Sequence, residues 1–134
     1  MARVQLAINV SDLSAAVEFY SKLFGTEPAK VRPGYANFAV EDPPIKLVLI
    51  EGEGAGGTLN HLGVEVASTQ EVADTTKELA AHGLDTTSEE NVSCCYAVQD
   101  KVWVRDPDGA PWEVYAVLGD APTMSKEMAG QACC

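Results

Sequence analysis

Two pairs of adjacent cysteines, Cys94-Cys95 and Cys133-Cys134, carry the most distinctive chemistry of this chain and are its only cysteines. Neighbouring Cα atoms lie about 3.8 Å apart across a trans peptide bond, whereas a disulfide usually joins Cα atoms about 4.4–6.8 Å apart. We therefore expect neither pair to close on itself as a disulfide. Two thiolates on one short backbone unit instead suit a soft ion such as Cu(I), zinc, cadmium or trivalent arsenic. The alternative is that these cysteines are merely small buried hydrophobic residues.

A second group of candidate residues follows from an internal repeat. Residues 5–12 align with residues 61–68, and residues 44–48 align with residues 111–115. Each copy has the hydrophobic periodicity of a strand, a helix and then three strands. The sequence therefore predicts an α+β fold in which two βαβββ units form a concave mixed sheet.

The repeat makes Gln5 equivalent to His61 and Lys46 equivalent to Glu113. If the two units pack with pseudo-twofold symmetry, Gln5 and His61 face each other across the sheet, and Glu113 completes a set of three metal ligands. Because the other copy has a lysine at the Glu113 position, we expect one metal site rather than two. The alternatives are that His61 only hydrogen-bonds within the core and that Gln5 faces solvent. His82 follows a predicted helix and is expected to interact with its dipole.

One imidazole, one carboxylate and one amide oxygen leave open coordination positions. That arrangement is typical of non-haem Fe(II) oxygenases, which normally use two histidines and one carboxylate. A zinc site with a bound water is the competing interpretation.

The elements that must position these residues can be placed from the pattern. Helices are predicted over about 12–24 and 69–82, and a glycine follows each of them. The remaining strands are predicted over 29–32, 35–40, 45–51, 85–89, 101–105 and 112–117. Asp106-Pro107-Asp108-Gly109 predicts a hairpin turn between the last two strands. The stretch from Asn91 to Asp100, which holds the first cysteine pair, is expected to be a loop that carries a bound ligand.

Length and charge exclude several classes of function. A chain of 134 residues suits one domain, which is predicted over 1–118. The domain consists of units 1–52 and 58–118, joined by a glycine-rich linker, and a flexible tail is predicted over 119–134. The net charge of −11 argues against nucleic-acid partners and against anionic membranes. No signal peptide or spanning segment is visible, so we expect a cytoplasmic protein with reduced thiols.

The repeat, His61 and the Asp106-Pro107-Asp108-Gly109 turn before Glu113 resemble the vicinal-oxygen-chelate superfamily, which includes glyoxalases, bleomycin-resistance proteins and extradiol dioxygenases. A narrower resemblance, to the organoarsenical carbon–arsenic lyases and the related cadmium-induced proteins, is carried by residues 20–25, 30–38 and 94–101.

This resemblance implies an Fe(II)-dependent dioxygenase that cleaves the carbon–arsenic bond of trivalent methyl or aromatic arsenicals and releases arsenite, for arsenic detoxification. It implies that Cys94 and Cys95 hold the arsenic, that Gln5, His61 and Glu113 hold the iron and are the catalytic residues, and that O2 is the co-substrate. A purified form could carry nickel, cobalt or zinc instead. The usual superfamily pattern has a histidine at the Gln5 position.

Two alternatives remain open. The thiols could sequester cadmium or arsenite without catalysis, or the chain could be another glyoxalase-like metalloenzyme. The chain could act as a monomer or as a homodimer. The aromatic residues Tyr35, Phe38, Tyr96 and Trp103 are candidates for an apolar wall around the organic group of the substrate, with ordinary core packing as the alternative.

Overall fold

The computed structural model describes residues 2–124 of the chain. These residues divide into two compact units: the first spans Arg3–Leu62, and the second consists of Ala2 and the residues from Gly63 onwards. Each unit contains one helix and several strands of a mixed or antiparallel sheet, so the predicted α+β class with two βαβββ copies is confirmed. No helix in the described residues is long and apolar enough to cross a membrane.

The elements of the first unit are β1 (Arg3–Val10), α1 (Leu13–Phe24), β2 (Lys30–Arg32), β3 (Tyr35–Val40), β4 (Ile45–Glu51) and the start of β5 (Leu59–Glu65). Its first four strands pair in the order β2-β3-β4-β1. Strand β4 runs parallel to β1 and antiparallel to β3, and the register places Gln5 beside Lys46.

Helix α1 begins and ends where the sequence predicts. The Asp12 carboxylate accepts a hydrogen bond from the Ala15 amide at 3.1 Å, which satisfies one of the unpaired donors of the first turn. Gly25 ends the helix at a φ of 62°, a left-handed conformation that glycine adopts without steric cost.

The apolar side of β1 packs against helix α1, as alternation along a strand predicts. The side chains on that side join a core cluster around Phe38, Leu47 and Leu49. The opposite side of β1 is also buried, although two of its three residues are polar: Gln5 is 4% exposed and Asn9 is 5% exposed. This polar, buried side of β1 carries the candidate site of the first unit.

The second unit repeats this plan. Its elements are the end of β5, then α2 (Thr69–Ala81), β6 (Thr87–Cys94), β7 (Ala97–Arg105) and β8 (Pro111–Asp120). The Ser68 hydroxyl accepts from the Glu71 amide at 3.2 Å, and the Glu71 carboxylate accepts from the Ala67 amide at 2.7 Å. These two bonds form a variant of the capping box, in which the carboxylate bonds the residue before the cap. Val72 is the buried residue of α2, and it packs in a cluster with Val102 and Ala116.

The predicted loop over Asn91–Asp100 is wrong. Strands β6 and β7 extend into this stretch and pair up to Cys94 and Ala97, which leaves a turn of only two residues. A bulge between Glu89 and Val92 accompanies the extension, and the Asp100 carboxylate accepts from the Asn91 amide there at 2.7 Å. The sequence hides these strands because polar residues interrupt their alternation.

The chain after the predicted domain boundary continues in regular structure. Strand β8 extends to Asp120, and the next residue, Ala121, donates its amide hydrogen to the Tyr96 carbonyl at 3.0 Å. The amides of Cys95 and Tyr96 donate in turn to the carbonyls of Met124 and Thr123, at 3.1 and 3.0 Å. Residues 121–124 therefore cover the β6–β7 turn, and the rest of the predicted tail lies outside the described residues.

The glycine-rich segment before β5 packs closely against the end of β1. A Cβ atom on Gly54 would lie 2.7 Å from the Asn9 Nδ2 atom, and one on Gly56 would lie 3.0 Å from Ser11. The backbone of Asn9 also pairs with this segment, donating to the Thr58 carbonyl at 2.8 Å and accepting from the Gly57 amide at 2.9 Å. The segment is thus a packed part of the first unit, where the sequence suggested a flexible linker.

We expect Gly54→Ala to lower the free energy of unfolding by about 1–3 kcal/mol, because the added methyl group overpacks against a buried amide held by two hydrogen bonds. Gly119→Ala is the matched control, since its Cβ would meet nothing within 4 Å. Urea denaturation of the three proteins measures the effect. Equal midpoints for Gly54→Ala and the wild type would contradict the close approach.

Candidate functional site

The structure brings together the two predicted ligands of the first unit. The Nε2 atom of Gln5 lies 3.1 Å from the Nε2 atom of His61, and the two residues are 4% and 1% exposed. The pair joins β1 to β5, as the repeat predicts for equivalent positions. A buried imidazole facing a buried amide satisfies the requirement that polar groups away from water find partners.

A second polar contact fixes the other nitrogen of the imidazole. The Nδ1 atom of His61 lies 2.8 Å from the side-chain oxygen of Asn60. Asn60 in turn donates to the Oδ1 atom of Asn9 at 3.0 Å, and Asn9 donates to the Thr58 hydroxyl at 3.0 Å. No periodic pattern distinguishes Asn60, Asn9 or Thr58 from ordinary polar residues, so their roles could not be predicted from the sequence.

The third predicted ligand, Glu113, lies in the second unit in a buried ion pair. Its Oε1 atom lies 2.7 Å from the Nζ atom of Lys101, and the two side chains are 3% and 0% exposed. The ammonium group of Lys101 also lies 5.3 Å from the centre of the Trp103 ring and 5.9 Å from that of Tyr115. Two aromatic faces and one carboxylate therefore offset the cost of burying this charge.

Lys101 is a residue that sequence analysis missed, although a signal for it exists. Alternation along β7 places Lys101 and Trp103 on one face, and the β7–β8 register pairs Lys101 with Tyr115 and Trp103 with Glu113. The predicted hairpin turn already determines this register. The ion pair between Lys101 and Glu113 could therefore have been predicted as a diagonal cross-strand contact.

These donors fit a divalent metal in their chemistry. An imidazole whose Nδ1 atom is held by an amide oxygen presents Nε2 as a ligand atom, and buried Glu113 has Lys101 beside its carboxylate. Among residues 2–124, no group of three or more histidine, cysteine, aspartate and glutamate side chains is placed to hold a metal.

The first cysteine pair occupies the turn between β6 and β7. Cys95 and Tyr96 have φ values of 51° and 59°, the left-handed conformation that a two-residue type I′ hairpin turn requires at both positions. Glycine and asparagine are the usual residues there, so this turn stores strain of about 1–3 kcal/mol per residue. Such strain at a chemically distinctive pair is typical of a functional site.

The left-handed turn also decides where the two sulfurs lie. Successive side chains of a regular strand point to opposite faces, but here the Sγ atoms of Cys94 and Cys95 are only 4.0 Å apart. Both residues are buried, at 0% and 5% exposed. A separation of 4.0 Å is about twice the length of a disulfide, so the expectation that the pair does not close on itself is confirmed.

Neither sulfur is a free thiol in this structure, because Cys94 and Cys95 are both disulfide-bonded. The expectation of reduced thiols at these positions is therefore wrong for this state of the protein. The other two cysteines of the chain, Cys133 and Cys134, lie outside the described residues.

A buried amide lies next to the cysteine pair. The Nε2 atom of Gln99 donates to the Cys94 carbonyl at 3.0 Å, and its Oε1 atom has no hydrogen-bond partner within the described part of the chain. Since a carbonyl can only accept, the orientation of this amide is determined and its oxygen is the atom left unpaired. Gln99 thus offers an acceptor to a ligand beside the hairpin turn.

The four aromatic residues suggested for an apolar wall have different roles. Phe38 belongs to the core of the first unit, which confirms the alternative interpretation for this residue. The Tyr35 hydroxyl accepts from the Asn37 amide at 2.9 Å, and Trp103 donates to the Glu89 carboxylate at 2.9 Å. Tyr96 is the one that lies in the hairpin turn, next to the cysteine pair.

We expect Lys101→Met to destabilise the metal-free protein by about 3–5 kcal/mol, because it removes the buried cation that lies 2.7 Å from the Glu113 carboxylate. Removing the second charge as well, in Lys101→Met with Glu113→Gln, should recover most of this loss. Lys22→Met, which breaks the exposed pair with Glu18, is the control and should change stability by less than about 0.5 kcal/mol. Denaturation in the presence of a chelator measures all four proteins, and no recovery in the double variant would contradict the buried pair.

Two curated relatives are 60% identical to this chain. One is named "Trivalent organoarsenical cleaving enzyme", from Thermomonospora curvata, and the alignment of 135 residues covers 100% of this chain and 89% of the relative. The other is named "Cadmium-induced protein CadI", from Mycobacterium tuberculosis, and 123 aligned residues cover 92% of this chain and 81% of the relative.

Comparison with solved structures and family descriptions gives a consistent result. The Mn(II)-bound glyoxalase from Novosphingobium aromaticivorans matches with a TM-score of 0.62 at 19% identity, over 97% of this chain and 44% of that chain, which shows a shared fold. Residues 3–114 match the family described as "Glyoxalase/Bleomycin resistance protein/Dioxygenase superfamily". This match, the βαβββ repeat of the chain and the 60% identity to the two relatives show that the chain belongs to the glyoxalase/bleomycin resistance protein/dioxygenase superfamily.

Proposed function

We propose that this protein is an Fe(II)-dependent dioxygenase that cleaves the carbon–arsenic bond of trivalent organoarsenicals and releases arsenite. The observation that carries the proposal is the pair of sulfurs, Cys94 Sγ and Cys95 Sγ, held 4.0 Å apart on a strained turn. The 60% identity to an enzyme named for cleaving trivalent organoarsenicals, over the full length of this chain, supports it.

The separation of the sulfurs suits a single soft centre. Bonds of about 2.3 Å, the length of zinc–thiolate bonds, allow two sulfurs on one centre to be up to about 4.6 Å apart, and 4.0 Å lies within that limit. An organoarsenical with two hydroxyl groups would exchange both of them for thiolates. Two arsenic–sulfur bonds form, two arsenic–oxygen bonds break, and the two thiol protons leave with the hydroxyl groups as two water molecules.

The hairpin contributes orientation to this step. Because the turn holds Cys94 and Cys95 side by side, the second bond, once the pair is reduced, forms within one complex and costs little further entropy. A dithiolate leaves the organic substituent as the third group on arsenic, so the turn also fixes the direction of the bond to be cleaved. The unpaired Oε1 atom of Gln99 lies beside this turn and would accept a hydrogen bond from a donor group of the substrate.

We further propose Gln5, His61 and Glu113 as the ligands of the iron, which would also make them the catalytic residues. Members of this superfamily bind divalent metals such as manganese and iron. When bound, the iron supplies, with O2 as the co-substrate, the oxidising chemistry that breaks the carbon–arsenic bond. The chain's own part is to present the His61 imidazole and the Glu113 carboxylate from buried positions, where water competes poorly for them.

Sequestration of cadmium or arsenite without catalysis is the second candidate, and the 60% identity to a cadmium-induced protein is the observation that favours it. Binding of a soft ion needs Cys94 and Cys95 but gives no role to buried His61. The two functions are therefore separated by variants of His61, which should leave arsenic binding intact and remove its conversion.

We expect the Fe(II)-reconstituted wild type to release arsenite from methylarsenite in air, with the arsenic species separated by chromatography. The variant Cys94→Ser/Cys95→Ser should lose conversion and tight binding together, whereas His61→Ala should lose conversion and iron but still bind the arsenical. His82→Ala removes the chain's other histidine, an exposed residue at the end of α2, and should remain active. Tight arsenic binding without arsenite, in wild-type protein with verified iron, would rule out cleavage of this substrate and favour sequestration.

Binding of the arsenical should also depend on reduction, because a disulfide-bonded sulfur cannot form a bond to arsenic. We expect reduced protein to bind a trivalent arsenical, measured as a mass increase by native mass spectrometry, and protein without reductant to bind none at Cys94 and Cys95. The reduced state is the one expected for a cytoplasmic protein.

Single-cysteine variants of this pair should bind about 10²–10⁴-fold more weakly, since they lose the intramolecular second bond. The matched control is Cys133→Ser/Cys134→Ser, which removes the same number of thiols and should keep tight binding. Equal binding by the wild type and by Cys94→Ser/Cys95→Ser would show that the arsenical is held elsewhere.

A further inference from the structure

We propose that Asn60 is a positioning residue, which holds the proton of the neutral His61 imidazole on Nδ1 and leaves the lone pair on Nε2. It does so as the last link of a one-way chain of hydrogen bonds that starts at the Ala55 carbonyl. The assignment of the proton follows from the metal-free structure alone. Its value for iron binding rests on the function proposed above.

The chain of hydrogen bonds has a fixed direction at its origin. The Thr58 hydroxyl donates to the Ala55 carbonyl at 2.5 Å, and a backbone carbonyl can only accept. The single proton of the hydroxyl is therefore in use, so the Thr58 oxygen must accept from the Asn9 side chain at 3.0 Å. Of the two polar atoms of the Asn9 side chain, only the nitrogen Nδ2 can donate, so Nδ2 faces Thr58 and Oδ1 faces Asn60.

The same logic passes along the next two links. The Oδ1 atom of Asn9 accepts from the Nδ2 atom of Asn60 at 3.0 Å. The oxygen of Asn60 then faces the Nδ1 atom of His61 at 2.8 Å, and an oxygen that can only accept requires a proton on that nitrogen. Each amide orientation is determined by its neighbour, so the result does not depend on a free choice between amide oxygen and nitrogen.

The backbone holds this chain of side chains in place. Asn9 is 5% exposed, and its backbone pairs with the Thr58 carbonyl and the Gly57 amide at 2.8 and 2.9 Å. Gly54 lies against the Asn9 amide so closely that a Cβ there would be 2.7 Å from Nδ2. The Asn9 side chain therefore has little room to take another rotamer.

The contact between Gln5 and the ring does not determine the position of the proton by itself. Gln5 faces the Nε2 atom of His61 through an amide that can donate or accept after a rotation. Either form of the imidazole is compatible with such a partner, whereas the chain from the Ala55 carbonyl is compatible with only one. A ring with its proton on Nδ1 presents Nε2 as an acceptor to Gln5 in the metal-free protein and as a ligand atom to a metal.

The test is a long-range ¹H–¹⁵N correlation spectrum of the full, ¹⁵N-labelled, metal-free chain, recorded at one pH well above the ordinary titration range of imidazole. It reports which ring nitrogen carries the proton. The chain has two histidines, so a His82→Gln spectrum assigns the signals, and exposed His82 serves as the reference. We expect a pyrrole-type Nδ1 and a pyridine-type Nε2 for His61.

Three variants test the chain of hydrogen bonds. Asn60→Leu removes the acceptor and should shift His61 towards the Nε2–H form, whereas Asn60→Asp keeps an acceptor and should retain Nδ1–H. Thr58→Val removes the hydroxyl that sets the orientation of the Asn9 amide, so it should give a mixture of the two forms of the imidazole. Thr58 is exposed and lies three hydrogen bonds away from the ring. Asn37→Leu, a buried asparagine paired with Tyr35 and outside the chain of hydrogen bonds, is the matched control and should leave the spectrum of His61 unchanged.

A wild-type His61 with its proton on Nε2 would overturn the inference, as would an Asn60→Leu spectrum identical to that of the wild type. Anaerobic Fe(II) titration against a competing chelator provides a second measurement, in which Asn60→Leu should bind about 10–100-fold more weakly than Asn60→Asp. Failure of the wild type to bind iron at all, with Nδ1–H retained, would reject the proposed function and leave the positioning role of Asn60 standing. Equal iron affinity for the two Asn60 variants would reject its role in metal binding.

Discussion

Polar side chains that are removed from water must be paired with other polar groups, and this requirement shapes both units of the protein. In the first unit, the buried side of β1 is polar, and Gln5 is satisfied against His61. In the second unit, burial of Glu113 is tolerated because Lys101 and two aromatic rings surround the charge. A fold that served only stability would place apolar residues at these positions, since apolar replacements of buried ion pairs are often neutral or stabilising. The polar groups are thus better explained by chemistry than by packing.

The hairpin turn reflects a second compromise of the same kind. Two consecutive left-handed residues without glycine cost backbone strain, and backbone hydrogen bonds between residues 121–124 and the turn residues Cys95 and Tyr96 help to hold the turn. In return, two adjacent sulfurs reach a separation of 4.0 Å. A regular strand would direct them to opposite faces. Strain in the backbone is therefore what turns two neighbouring cysteines into a possible chelate.

Much of the fold and part of the candidate site could be predicted from the sequence. The repeat identified Gln5 and His61 as equivalent positions, and the structure places them in contact. Lys101 was missed although the hairpin register implies its contact with Glu113. Asn60 could not have been found, because its role depends on a chain of contacts through Asn9 that no periodicity encodes.

The sequence by itself determined the elements and their order. The helix boundaries follow from local signals, such as the Asp12 cap and Gly25, because these effects act between residues close in the chain. Most strands follow from alternation, but the ends of β6 and β7 on either side of the cysteine turn do not. Only the tertiary structure decided the left-handed turn at Cys95, the partners of the buried polar groups and the disulfide-bonded state of Cys94 and Cys95. These features depend on groups that are distant in sequence, and their energies are defined only when the chain has brought those groups together.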